Sequence, residues 1–365
     1  MEKAILIRAN REIKKSRPTL PANQVCQTFH TMDLLEIGFL SKQCRNDAAG
    51  ICIMCDYGCA GDTYDNDTYI NEMRKILSEH NGDFKCLLLC TNGSFMDEYQ
   101  ISSSLFNLIL TEVSNYNIPE VEIETHYTSV DRKKLEAIKQ LLGDNKVSIE
   151  LGLETSSPIY QEYIIMKHID LGKFDEILVM IKQFGFDIEL NIMLGLPFLS
   201  EKEQLEDAQK TIRWAFERNC KPVIFPMNIK PFTLLSHMYE TGHYTPISHW
   251  LAIFLLDSVP VDRLDRVTMA WYGNREEIYG RTDKRTIFPM SCSLCHNLLM
   301  DFYGIFNEAK CAAVRKKTIK DLISRKTCEC LEKQVNRLES PTSISFEDRY
   351  ARYTNALINE FGEEQ

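Results

Sequence analysis

Apolar positions recur along the chain in two rhythms. Compact apolar runs read as strands buried in a parallel sheet: LLEIGFL (34–40), FKCLLLC (84–90), VEIET (121–125), KVSIELGL (146–153), DIELNIML (187–194) and PVIFPM (222–227). Between them the spacing turns helical. Phe174, Ile177, Leu178 and Ile181 fall at i, i+3, i+4 and i+7, as do Leu135, Ile138 and Leu142 along 131–142. Ser200 followed by Glu203 predicts a capping box opening a helix over 201–218. Six strands separated by helices predict βα crossovers and an α/β architecture whose parallel sheet closes partly or wholly into a barrel. In such sheets chemistry gathers at the carboxyl ends of the strands.

The pattern weakens at both ends. The first 30 residues are mixed, and Pro18 and Pro21 break any helix there. After about residue 230 come short helical segments, a strand-like RVTMAWY (266–272), a loop with Arg275, Arg281, Lys284 and Arg285, helical sequence over 296–338 and a charged tail. This predicts an N-terminal extension (1–30), a core barrel (31–230) and a mainly helical C-terminal extension (231–365) packed over the barrel mouth.

The balance of residues narrows the function. The chain is 44% apolar and 26% charged, with a net charge of −10. Those values suit a water-soluble globular protein and argue against a broad nucleic-acid footprint. No apolar run reaches the roughly 18 residues a membrane helix needs, and the start is too charged for a secretory signal, so a cytoplasmic protein is expected. Thirteen cysteines, an odd number without a signal peptide, argue against a disulfide framework.

Four cysteines crowd the segment after the first strand, SKQCRNDAAGICIMCDYGCAGD: Cys44, Cys52, Cys55 and Cys59. Thiolates on so short a Gly-containing loop can converge on one centre. A structural zinc knot, an iron–sulfur cluster and incidental core residues all compete, but only one CxxC lies here, where zinc knots pair two.

With these residues in view the sequence resembles the radical SAM superfamily. The C-x7-C-x2-C spacing and the ending Gly50-Ile-Cys52-Ile-Met54-Cys55-Asp-Tyr57 are similar to the subgroup of the archaeosine synthase radical SAM subunit and, more loosely, of the catalytic subunit of Elongator. TNGSFMD (91–97), ELGLETSSP (150–158), NIMLGLPFLSEKE (191–203), the stretch 226–246 and CSLCHNLLMDF (292–302) extend the likeness over roughly 30–335.

The resemblance implies a partial (β/α)6 TIM-like barrel and two cofactors, a [4Fe-4S] cluster on Cys44, Cys52 and Cys55 and S-adenosyl-L-methionine (SAM). Cys59 is left over. SAM contacts are implied for Tyr57, Thr91, Asn92, Gly93, Ser94, Glu154, Gly195 and Pro197. Reductive SAM cleavage to a 5′-deoxyadenosyl radical, fed by an external one-electron reductant, would abstract hydrogen from a small-molecule or modified-nucleoside substrate. One specific form is a lyase acting on a lysine-modified deazaguanine in tRNA; a zinc-stabilised binding protein without SAM chemistry is the alternative of another class.

Other residues carry weaker signals. Glu124, His126 and Tyr127 end the third strand and point at the mouth, and Lys230 follows the sixth. Cys292 and Cys295 form a second CxxC, open to a metal, a redox pair or no role, with Cys311, Cys328 and Cys330 following. Cys86 and Cys90 flank a leucine run and read as small core residues.

Overall fold

The computed structural model describes residues 3–17, 24–31, 33–57, 63–143, 145–270, 286–325, 328–340 and 344–362. Cys59 and the loop with Arg275, Arg281, Lys284 and Arg285 lie outside them.

Eight strands form one sheet in sequence order: β1 (Cys26–His30), β2 (Leu34–Phe39), β3 (Cys86–Thr91), β4 (Glu120–Thr125), β5 (Lys146–Glu154), β6 (Asp187–Leu194), β7 (Lys221–Pro226) and β8 (Thr268–Met269). β1 pairs antiparallel with β2, and every later pairing is parallel. The sheet curls into a half-barrel with helices over its outside. A long helix crosses between each pair of strands from β2 to β7: Asn66–Glu79, Ser103–Ser114, Arg132–Leu142, Leu171–Gln183 and Glu201–Glu217. The expected six parallel strands are therefore β2–β7, and the fold is α/β with a partial barrel.

Strands β2, β3, β4 and β6 open on the period-2 alternation of a pleat. Leu35, Ile37, Leu87, Leu89, Val121, Ile123, Ile149 and Leu190 join one core with Leu135, Ile138, Phe174, Leu178 and Ile181 of the covering helices. The capping box forms as predicted, with the Ser200 amide donating to the Glu203 carboxylate at 2.7 Å.

The opposite face of the sheet is not apolar. Glu124, Glu150, Glu189 and Lys221 stand in one register row across β4–β7. Burial, aided by neighbouring carboxylates, raises the pKa values of Glu122, Glu150 and Glu189. The thiols of Cys90 and Cys86 reach toward Glu36 and Glu122, at 3.7 and 4.0 Å. These two cysteines thus line an acidic face rather than the helix-packed core, because alternation turns them away from Leu87 and Leu89.

The ends of the chain depart from the sequence expectation. Lys3–Lys14 is a helix, complete before Pro18, and it packs against a C-terminal helix, Phe346–Phe361. That second helix replaces the expected charged tail. Phe346, Tyr350, Tyr353 and Leu357 recur at helical spacing and are buried, and Arg349 turns inward to the Phe198 carbonyl and the Glu203 carboxylate. The helices His296–Glu308, Ala312–Ser324 and Glu329–Glu339 account for the helical stretch between. No described helix is long and apolar enough to cross a membrane.

Candidate functional site

β2 ends at Phe39, and the chain enters the cysteine loop at the carboxyl edge of the sheet. The loop closes on itself where the Cys44 amide donates to the Tyr57 carbonyl at 3.1 Å. Tyr57 in turn donates its amide to the Cys55 sulfur at 3.5 Å. Between these points the loop hangs on the N-terminal helix. Asn10 donates to the carbonyls of Gly50 (2.9 Å) and Cys52 (3.0 Å), and Arg11 donates to that of Ala49 (2.7 Å). Lys14 donates to the carbonyls of Cys52 and Cys55, both at 3.0 Å, and pairs with Asp47, which also holds Arg17. Gly50 explains the tightness. Its φ is +74°, and a Cβ there would stand 2.5 Å from Arg11 Cγ and 2.9 Å from the Ile7 carbonyl.

The three thiols sit in a desolvated, cation-facing pocket. Burial raises the thiol pKa of Cys44 and Cys55 and pushes that of Cys52 up to about 11. Lys14 is itself pulled down to about 8 by burial, opposed by the thiols of Cys55 and Cys52. Buried thiols of this kind become thiolates when a cationic centre takes the proton's place. The donor set is three soft sulfurs, and the nearest loop carbonyls are already engaged by Asn10, Arg11 and Lys14. That set fits an iron–sulfur cluster.

The neighbouring strand ends converge on this loop. Gly93 lies against it: a Cβ there would come within 3.1 Å of Cys44 Cβ and 2.7 Å of Gln100 Oε1. Gln100 is the hub of the turn after β3. Its Oε1 accepts from the Ser94 amide (2.6 Å) and the Thr91 hydroxyl (3.3 Å), and its Nε2 donates to the Lys42 carbonyl (3.0 Å). The Ser94 hydroxyl meets Thr125 at 2.7 Å and accepts from the His126 amide at 3.0 Å, joining the exits of β3 and β4. Asn92 sits half-buried in the same turn.

Glu154 ends β5 just past a register shift at Gly152, with φ +66°. A left-handed glutamate at a bulge is backbone strain that redirects a side chain. Its carboxylate accepts from Lys167 Nζ at 2.8 Å. Burial works to lower the Lys167 pKa, yet Glu154 and the thiols of Cys52 and Cys55 raise it overall and hold the ammonium charged. Lys167 is delivered by a second strained segment. A π-helical turn over Gln161–Ile165 precedes Met166 and His168, both at φ +55°. Tyr127 pins that segment, its hydroxyl donating to the His168 carbonyl (3.3 Å) and accepting from the Asp170 amide (3.0 Å). His126 is held neutral, its pKa lowered to about 4 by burial and by Lys167, and its Nε2 has no hydrogen-bond partner among the described residues.

At the exit of β6, Gly195 has φ +111°, and a Cβ would meet Met227, Ile247 and the Tyr244 hydroxyl within 3.1 Å. Tyr244 donates to the Gly195 carbonyl at 2.7 Å. The close approach this glycine permits is therefore to the chain's own side chains on that side; Pro197 beyond it is buried.

Sequence reasoning missed Asn10, Lys14, Gln100 and Lys167. Leu6, Asn10 and Lys14 lie at i, i+4 and i+8, so polar residues on an apolar stripe could have flagged the helix. Gln100 and Lys167 carry no spacing signal. The second CxxC is also joined by partners: Cys292, Cys295, Cys328 and Cys330 bring their sulfurs within 4.8 Å of one another. Cys311 is exposed and lies outside that group.

No family model matches the chain. It is 26% identical over 358 residues to archaeosine synthase subunit beta of Methanosarcina acetivorans, covering 94% of this chain and 97% of that protein. Among solved structures it is similar to archaeal Methanocaldococcus infernus Elp3 with residues 1–46 deleted, at TM-score 0.47 and 14% identity over 66% of this chain and 59% of that one. It is also similar to methylornithine synthase (PylB), at TM-score 0.45 and 13% identity over 87% of each. A whole-length likeness in sequence thus accompanies a cysteine loop at the carboxyl edge of a parallel half-barrel. Along nearly its full length the chain is similar to archaeosine synthase subunit beta.

Proposed function

We propose that Cys44, Cys52 and Cys55 hold a [4Fe-4S] cluster and that Tyr57, Thr91–Ser94, Glu154, Gly195 and Pro197 surround SAM beside it. When bound, that pair supplies a 5′-deoxyadenosyl radical on one-electron reduction, and the radical takes hydrogen from substrate. The observation that carries this reading is the Lys167–Glu154 ion pair set against the cysteine loop. Lys167 offsets negative charge on the thiolates and can meet a carboxylate, while Glu154 offers an acceptor to an amine or ribose hydroxyl. The Gln100-centred turn fixes the backbone of Thr91–Ser94. His126 Nε2 stands as a neutral ring nitrogen for a ligand hydrogen bond.

The substrate we assign is a modified nucleoside, and the finer reading is a lyase step on lysine-modified deazaguanine in tRNA, carried out with a partner subunit. The full-length similarity to an archaeosine synthase subunit supports it. The net charge of −10 weighs on the other side and favours a small-molecule substrate. The test is anaerobic reconstitution with iron and sulfide, then SAM and dithionite. A brown protein that forms 5′-deoxyadenosine supports the proposal, and a colourless protein without SAM turnover sinks it. Conversion of the deazaguanine in modified tRNA, read by nucleoside mass spectrometry, separates the tRNA substrate from a small molecule.

A further inference from the structure

The C-terminal region holds a second cysteine constellation that the radical chemistry does not use. Cys292 and Cys295 lie just ahead of the helix His296–Glu308, and Cys328 and Cys330 open the helix Glu329–Glu339. Cys330 and Cys292 are 38 residues apart in sequence, yet their sulfurs are 3.7 Å apart. Cys292 to Cys295 is 3.4 Å, Cys295 to Cys330 is 3.0 Å, and Cys328 to Cys295 is 3.6 Å. All four sulfurs fall within 4.8 Å of one another.

We infer that Cys292, Cys295, Cys328 and Cys330 form a closed four-thiolate site for a single zinc ion that staples the C-terminal helices to the barrel.

Size is the first reason. Tetrahedral zinc with Zn–S bonds of about 2.3 Å sets its sulfurs about 3.8 Å apart. The observed separations run from 2.7 Å (Cys328 to Cys330) up to 3.7 Å (Cys330 to Cys292), reaching that value at their upper end. A cubane cluster spreads its ligands over four separate irons and needs a wider cradle. Number is the second reason. A redox pair needs two cysteines, and four in mutual contact exceed that. Completion of the shell is the third. Trp250 donates its indole N–H to the Cys330 sulfur at 3.2 Å, the kind of outer hydrogen bond that orients a thiolate ligand.

The staple's position says what it does. Trp250 belongs to the helix His249–Ser258, whose first residue donates its amide to the Met290 carbonyl at 3.2 Å. Asn307 on the helix after Cys295 pairs with both backbone groups of Met269 in β8, at 3.0 and 2.9 Å. Gln334, on the helix after Cys330, donates to Glu201 at the start of Glu201–Glu217. One ion would thereby fix two sequence-distant segments against β8 and a crossover helix. The role is structural, with all four positions filled by protein.

The test is metal analysis of the full chain purified anaerobically. The variant Cys44→Ala/Cys52→Ala/Cys55→Ala should keep about one zinc per chain and no iron. Cys292→Ala/Cys295→Ala should lose that zinc at least about tenfold while the first loop still takes up iron. Should the second variant fail to fold, X-ray absorption at the zinc edge on the unaltered chain gives an independent reading, with four sulfur scatterers at about 2.3 Å expected. Iron and labile sulfide retained in the triple variant would overturn the inference in favour of a second cluster. So would a zinc-free chain, or zinc bound mainly by nitrogen and oxygen. None of these readings depends on SAM turnover, so this inference and the proposed function fail separately.

Discussion

The two cysteine groups of this chain solve opposite problems. The first comes from one loop, Cys44 to Cys55, and offers three sulfurs facing cations, with its backbone tied to the helix Lys3–Lys14. The second joins two segments and offers four sulfurs facing one another. Three ligands leave a position open to a ligand; four close it. On the reading proposed above, ligand number and the charge around it, rather than cysteine count, separate a reactive centre from a fastening.

The largest expected effect comes from opening the first group further. Cys52→Ala should reduce 5′-deoxyadenosine formation by at least about a thousandfold, with iron lost and zinc content unchanged. If zinc falls along with iron, the two groups are not independent and the contrast is broken.

Next is the cation that distinguishes the first group. Lys167→Met leaves Glu154 buried without its partner, which costs about 3 kcal/mol of stability. SAM cleavage should drop about 30-fold to 100-fold while iron content holds, measured by turnover against iron per chain. Unchanged turnover would show that the ammonium serves only the fold.

Asn10→Ala tests the backbone clamp. It strips partners from the Gly50 and Cys52 carbonyls and the Leu234 amide, and should cost about 2–3 kcal/mol in denaturant unfolding. Iron uptake should become less complete, and zinc should not change.

The last effect is electrostatic and confined to acid pH. His126 titrates at about 4 in the fold instead of 6.5, chiefly through burial. The unfolded imidazole therefore gains its proton first as pH falls. Its contribution is complete above pH 6.5 and is lost between 6.5 and 4, at most about 3 kcal/mol. His126→Gln should flatten the stability profile in that window and leave it unchanged above pH 7.

The parallel strands and their crossover helices were legible because apolar runs such as Leu87–Leu89 and stripes such as Phe174–Leu178–Ile181 write burial directly into the sequence. The first cysteine group was legible because its spacing is local. The second was half legible: Cys292 and Cys295 declare themselves, but Cys328 and Cys330 meet them only through helix packing. Lys167 was not legible, since two left-handed residues and a π-turn aim it, and no periodicity encodes those. The acidic face was hidden by short strands in which Glu122 and Glu150 alternate with residues of an apolar core.

Asn10 also sets an order of events. Its Oδ1 accepts from the Leu234 amide, 224 residues later in the chain. At roughly 5–20 residues per second, a ribosome makes residue 234 about 10–45 s after residue 10. Through that interval the cysteine loop already exists, but the helix that grips it has not found its last anchor. On the proposed reading, the loop that would hold the cluster gains its full grip only once residue 234 has been made and the earliest helix meets one of the later ones.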